Sequence, residues 1–180
     1  MSDALIQIVD ENDQPIGAAT KQQAWDKGLI HRIIRIVIWN AAGQILLQHR
    51  DPSKDIFPNC WDNAVGGHVD AGETYETAAL REMAEELDIR GVAIRELGKY
   101  RSDEMYQNHR FNRFTQCYEA TMEETPQKLE PGTIDRVAWF TVEEVRQLIK
   151  EHPEEVCDGL HYVFEHYYKE QSSSERRAAA

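Results

Sequence analysis

The alternation of apolar and polar side chains divides the chain into short strand-period runs separated by a few helix-period stretches. Leu5 to Val9 alternates as a strand does, Glu11 to Pro15 carries turn residues, and Ile16 to Thr20 can return as the second arm of a hairpin. Lys21 to Lys27 predicts a short helix that Gly28 stops. His31 to Asn40 predicts a strand with Ile34, Ile36 and Ile38 on one face and Arg35, Val37 and Trp39 on the other. Ala42-Gly43 is a turn, and Gln44 to His49 pairs back. Asp51 to Asn63 is a loop containing Pro52 and Pro58 and anchored by the packing of Trp61, followed by a short strand, Val65 to Val69. Ala93 to Ser102 and Arg113 to Thr121 predict strands joined by a polar loop, Asp103 to Asn112. A second loop spans Gln127 to Thr133, and Arg136 to Phe140 is another strand. Thr141 and Glu144 have the spacing of a capping box at a helix start, and Pro153 to about Lys169 predicts a final amphipathic helix. Interleaved strands and helices, with several strands joined as hairpins, predict an α/β fold with a mixed sheet and helices on both faces. No internal repeat is evident. The expected organisation is one domain over residues 1–170 and a disordered tail, QSSSERRAAA, over 171–180.

The stretch from about Thr74 to Leu87 carries the candidate chemistry. With Glu82 at zero and about 100° per residue, Glu85 falls near 300° and Glu86 near 40°. Ala79, Met83, Leu87, Leu80 and Ala84 fall between roughly 60° and 200° on the same wheel. One face is apolar and another carries three carboxylates, with the small Ala78 between them. Like charges within one turn repel by a few tenths of a kcal/mol per pair. A hard divalent cation removes that repulsion, and clustered carboxylates with water are the ligands Mg²⁺ and Mn²⁺ prefer. The alternative is a solvated acidic face.

Composition narrows the setting. The 180 residues carry a formal net charge of −12 and an isoelectric point near 5.0, which argues against binding a nucleic-acid polymer or an anionic membrane. Hydrophobic residues make up 41%, enough for a core of normal size. Cys60, Cys117 and Cys157 lie far apart, without the spacing of a zinc site or a disulfide framework. The apolar run Ile33 to Trp39 is too short to span a bilayer and contains Arg35. The start MSDALIQ lacks the regions of a secretion signal, so a cytoplasmic enzyme is expected.

From Gly67 the order is five residues, Glu73, seven residues, Arg81-Glu82-Met83, one residue, Glu85-Glu86, one residue, Asp88-Ile89. This resembles the Nudix box of the Nudix hydrolases, differing where the family usually has Gly and this chain has Asp88. Asp tolerates the left-handed conformation that ends such a helix better than most residues. The resemblance implies a Nudix-type α/β/α sandwich with a mixed sheet. It implies Mg²⁺ (Mn²⁺ substituting) held by Glu82, Glu85, Glu86 and the Gly67 carbonyl. Glu73 and Arg81 are expected to tie loop to helix by ion pairing. The implied reaction is attack of water on a phosphorus of a small-molecule diphosphate, of the nucleoside diphosphate type or another diphosphate-linked compound. Glu85, Glu86 and Glu130 are the alternatives for the base, and Arg110 and Arg113 are possible lining residues. A homodimer is compatible with the sequence.

Ala42 to Thr74 further resembles the corresponding segment of type 1 isopentenyl-diphosphate isomerases, a branch of the same superfamily. That resemblance places Arg50 and Lys54 on the substrate diphosphate, as two basic groups suited to phosphate oxygens. It aligns His31 and His68 with metal-binding histidines, although a further such histidine would fall at Ala24. The isomerases carry their catalytic cysteine where this chain has Gly66. The alternatives to a hydrolase are therefore an isomerase of this kind and a non-catalytic nucleotide-binding Nudix module. Trp39, Phe57, Tyr106 and Phe111 are candidates for stacking on a base.

Overall fold

The computed structural model describes residues 4–169; the tail expected at 171–180 lies outside them. Everything is built on β3 (His31–Trp39), the strand whose two faces are both apolar. β1 (Leu5–Val9) and β2 (Pro15–Thr20) form the first hairpin, and β1 pairs with the start of β3. α1 (Lys21–Lys27) starts at a capping box between Thr20 and Gln23 and stops at Gly28, whose φ of 62° suits glycine. β3 is antiparallel to β4 (Gln44–Arg50) at its end, Ile38 and Trp39, and to β6 (Val65–His68) earlier, over Ile33 to Ile36. β5 (Trp61–Asn63) and β9 (Ile134–Thr141) flank β4. β8 (His109–Thr121) runs parallel to β3 from His31↔Arg113 to Trp39↔Thr121, and β7 (Ile94–Tyr106) pairs with β8. The sheet is mixed, as the alternation of elements predicts.

The alternation along β3 sorts the two cores. Ile34, Ile36 and Ile38 pack with Ala78, Ala79, Met83 and Leu87 of α2 (Tyr75–Leu87) on one face. Val37 packs on the other with Val145 of α3 (Val142–Glu151) and with Leu160, Val163 and Phe164 of α4 (Asp158–Tyr167). Met83 and Leu87 are almost fully buried. Each contributes roughly 1.5–3 kcal/mol by removing apolar surface from water.

Besides β5 at Trp61–Asn63, which takes the end of the expected loop into the sheet beside β4, three expectations change. The polar segment Asp103–Asn112 is not a loop: the β7–β8 ladder runs on to Tyr106↔His109 and turns at Gln107, φ 53°. Its polar residues pair across the strands, Arg110 donating to Asp103 at 2.7 and 2.6 Å, so the ladder needs no apolar alternation to continue. The final helix is broken: a 3₁₀ turn, Pro153–Glu155, is followed by extended Val156 and only then α4. Val156 bridges Trp61, and the Cys157 N–H donates to the Trp61 carbonyl at 2.9 Å, taking these residues out of the helix. Finally, Leu80, placed on the apolar face of α2, is 42% exposed, whereas Glu86 is 5% exposed. The wedge between β6 and β4 covers the Glu86 edge of the helix instead.

Candidate active site

Local sequence fixes the helix that carries the glutamates. Thr74 caps α2 in a reciprocal box with Thr77, and Asp88 ends it in the left-handed conformation at φ 55°. The preceding strand β6 sets Gly67 opposite Ile34 and Gly66 opposite Arg35. A Cβ on Gly67 would lie 2.6 Å from Glu82 Cγ, so only glycine lets the strand backbone lie against that carboxylate.

Arg81 is the hub of the box. Its guanidinium donates to both Glu73 oxygens (3.0 and 2.9 Å) and to the His68 carbonyl (2.9 Å). It also donates to Glu82 (2.9 Å) and Glu85 (3.1 Å), so two of the three helix carboxylates already converge on one cation. Glu73 in turn accepts from the Asp70 N–H at 3.0 Å. The expected tie between loop and helix is thus present.

Glu86 turns the other way. It accepts from the Gly66 N–H at 3.3 Å and from Gln48 Nε2 at 3.4 Å. Burial, followed by the charge of Glu82, pushes its carboxyl up to about 8. Burial also raises Glu82, against the opposing pull of Arg81. Among the described residues, the trio of ligand-type side chains whose atoms lie within 4.8 Å of one another is the exposed His152, Glu154 and Glu155, and not the helix glutamates. Even so, the donor set of α2 fits a hard divalent ion. Two desolvated carboxylates and one exposed one stand within a helical turn, beside a backbone that glycine alone permits.

These groups line one edge of a cavity of about 610 Å³. On its rim stand Lys54, half-buried, and Lys21 from the start of α1. Burial, with Arg50 nearby, lowers the Lys54 ammonium below its ordinary value. Arg50 also lines the cavity, but most of its fork is engaged. Nε donates to the Phe57 carbonyl at 2.9 Å and Nη2 to the Ile56 carbonyl at 2.8 Å. Arg50 thereby clamps the loop in which Phe57 adopts φ 50°, an unfavourable region for a bulky residue. Phe57 meets Tyr106 at 4.1 Å between ring centres, and both Phe57 and Phe111 face the cavity. Trp39 does not: it packs on Tyr168 and donates to Glu119. Glu130 reaches the cavity, its loop held by its N–H donating to the Glu86 carbonyl at 2.9 Å. Arg113 lines the cavity, and Arg110 is spent on Asp103 at the surface.

His31 and His68 are brought together as stacked rings, 5.4 Å apart and 16° from parallel. His31 is fully buried with Nδ1 2.9 Å from the Leu29 carbonyl. Burial holds its ring down to about 4, and burial followed by His31 holds His68 well below its ordinary value. Arg113 opposes a positive charge on either ring. Burial and the neighbouring cations thus disfavour a charge on either ring, and Ala24 adds no third ring.

Lys21, Arg35, Asp62 and Asp158 were not singled out as site residues from the sequence. A lone arginine in an apolar strand was the one available signal, at Arg35. Lys21 and Asp158 reach the cavity only through the packing of distant elements.

A NUDIX domain model matches residues 29–158. An uncharacterized Nudix hydrolase of Pseudomonas aeruginosa is 45% identical over 104 residues, 57% of this chain. The match spans 62% of that protein's own length. An isopentenyl-diphosphate Delta-isomerase of Nocardia farcinica is 29% identical over 163 residues, covering 89% of this chain and 92% of that one. A crystal structure of DR0079 from Deinococcus radiodurans superposes with a TM-score of 0.78 at 27% identity, over 92% of this chain and 99% of that one. No helix among the described residues is long and apolar enough to cross a membrane.

Proposed function

The chain belongs to the Nudix hydrolase family, and from that premise we propose that it hydrolyses the phosphoanhydride bond of a small diphosphate-linked molecule with the help of Mg²⁺. The observation that carries the reading is the pairing of two desolvated carboxylates, Glu82 and Glu86, with a cationic rim at Lys21 and Lys54 across one cavity. Such a pairing suits a metal on one side and phosphate oxygens on the other.

Glu82, Glu85, Glu86 and the Gly67 carbonyl would hold the ion, with Mn²⁺ as a substitute. When bound, the ion supplies positive charge to the phosphate oxygens and acidifies water. Arg81 keeps Glu82 and Glu85 in place through its fixed bonds to Glu73 and His68. Lys54, assisted by Lys21 and the remaining valence of Arg50, draws the diphosphate to the rim. The oxygen of water bonds to one phosphorus, the bond from that phosphorus to the bridging oxygen breaks, and the bridging oxygen leaves with the other phosphate. The proton of the water passes to a carboxylate in the cavity, for which Glu85, Glu86 and Glu130 are available.

The isomerase alternative fares worse in this geometry. Gly66 offers no acid or base, and its side-chain space is filled: a Cβ there would collide with Arg35 Nη1. The non-catalytic alternative would not require a complete set of glutamates beside a cationic rim. The test is phosphate release from diphosphate-linked compounds with Mg²⁺ and with chelator. Undiminished turnover in chelator rejects the proposal.

A further inference from the structure

The three cysteines have different surroundings. Cys117 is fully buried in β8, and burial pushes its thiol up to about 12. Cys60 stands where the loop clamped by Arg50 enters β5, and it is the shallowest of the three at 7% exposed. Cys157 stands at the start of α4 and is 1% exposed. Cys60 and Cys157 are far apart in sequence, but the fold brings them together. The Trp61–Val156 bridge and the bond from the Cys157 N–H to the Trp61 carbonyl lay the two backbones side by side. Cys60 Sγ donates to the Pro58 carbonyl at 3.4 Å and to the Glu154 carbonyl at 3.6 Å, so it reaches the turn that precedes Cys157. The Cys157 thiol is hydrogen-bonded to the Cys60 sulfur.

Cys157 occupies a place that usually serves another purpose. α1, α2 and α3 each start at a threonine whose hydroxyl caps the helix, whereas the Cys157 side chain makes no cap bond to α4. It is engaged with Cys60 instead. That bond, with the charge of Arg50, outweighs burial and holds the Cys60 thiol below its ordinary value, while burial raises Cys157 well above its own. Cys60 therefore has the greater thiolate character, and the thiolate is the form that attacks an oxidant.

We propose that Cys60 and Cys157 form an oxidation site that a hydroperoxide converts to a reversible disulfide, with Cys60 as the attacking thiol and Cys157 as the resolving one. The Cys60 sulfur bonds to one peroxide oxygen, the oxygen–oxygen bond breaks, and the other oxygen leaves with the thiol proton as water. The Cys157 sulfur then bonds to the Cys60 sulfur, the sulfur–oxygen bond of the sulfenic acid breaks, and a second water leaves with the Cys157 proton. The two thiols have lost two electrons and the peroxide has gained them. The new bond fastens the loop of Ile56 and Phe57 to the start of α4, where Asp158 accepts from Arg113; both line the cavity.

The experiment treats the full chain with hydrogen peroxide, unfolds it in excess N-ethylmaleimide and maps it by mass spectrometry without reduction, so the readout is independent of turnover. The expected map joins the Cys60 and Cys157 peptides and leaves Cys117 alkylated, and dithiothreitol restores all three thiols. A bond between residues 60 and 157 closes a loop of roughly a hundred residues in the unfolded chain, so the oxidised protein should melt at least about 5 °C above the reduced one. Cys157→Ser should leave Cys60 as a sulfenic acid that dimedone traps, Cys60→Ser should leave Cys157 reduced, and Cys117→Ser should still form the bond. Where a serine variant does not fold, the wild-type map and melt decide. Cys60 carried to sulfinic acid without a link, links only between molecules, or Cys117 reacting as fast as Cys60 would each overturn the proposal. A Tm unchanged or lowered by the mapped bond would do so too.

Discussion

Replacing Glu86 by Gln separates the electrostatics of the glutamate helix from its folding. In the metal-free protein the buried Glu86 carboxyl titrates at about 8, against an ordinary value of 4.5. Between those values the unfolded chain has lost the proton that the folded chain keeps. The folded state binds more protons, so stability falls as pH rises through that window and is present in full below it. At about 1.4 kcal/mol per unit, the cost of this group reaches roughly 3 kcal/mol at pH 7. Gln is neutral throughout, and its carbonyl can accept from the Gly66 N–H as the carboxylate does. Metal-free Glu86→Gln should therefore be at least as stable as the wild type at pH 8, by up to roughly 4 kcal/mol, and closer to it at pH 5. For a chain of this length that is on the order of 10 °C in Tm. The assay is thermal melting in chelator and in Mg²⁺ at both pH values, with kcat measured alongside. Mg²⁺ should raise the wild-type Tm and leave the variant where it was, and kcat should fall by about 10²–10³-fold, the scale of a lost electrostatic group. A variant less stable than the wild type in chelator at pH 8, or one that keeps near-normal turnover, would refute the reasoning.

Lys54→Ala should raise KM with little change in Tm, since its ammonium carries no fold contact as close as those of Arg50. Arg50→Ala should raise KM and also lower stability, because it releases the Ile56 and Phe57 carbonyls; about 1.5–3 kcal/mol is expected for the charged bonds lost, read from denaturant melts. An Arg50 variant that leaves the melt unchanged would remove the clamp from the account. Gly67→Ala should cut turnover at least about tenfold by forcing Glu82 aside, at a stability cost of about 1–3 kcal/mol as for other overpacked sites. Asp13 is buried at a turn and bonded by Arg32 and Tyr75 as well as Lys99. Burial opposes its charge, but the bonds from Lys99, Arg32 and Tyr75 outweigh it and hold the carboxyl below its ordinary 3.8. The stability it contributes is present above that value and lost as pH falls through the lowered one. Asp13→Asn should therefore destabilise the protein at pH 7, and the gap should narrow in acid melts below about pH 4, the ordinary carboxylate range.

Much of this was written locally in the chain. The Thr74 and Thr141 caps, the left-handed end at Asp88 and the two faces of β3 follow from residue types at fixed spacing, because capping and periodicity involve neighbours within a few positions. The spacing from Gly67 to Ile89 likewise pointed to the helix and to its tie through Glu73 and Arg81. Tertiary structure decided the rest. The helical wheel put Glu82, Glu85 and Glu86 together but not the burial of Glu86, which depends on Gly66 and Gln48 arriving from β6 and β4. Resemblance marked Arg50 as a phosphate ligand, and the loop it closes engages most of its donors. The polar arms of β7 and β8 look like a loop in sequence, because cross-strand ion pairs leave no apolar alternation. Lys21, Arg35, Asp62, Arg113 and Asp158 lie up to most of the chain apart. They share a cavity because β8 runs parallel to β3 and α4 packs back over both. Such long-range convergence is fixed by how buried faces meet, and local sequence does not encode it.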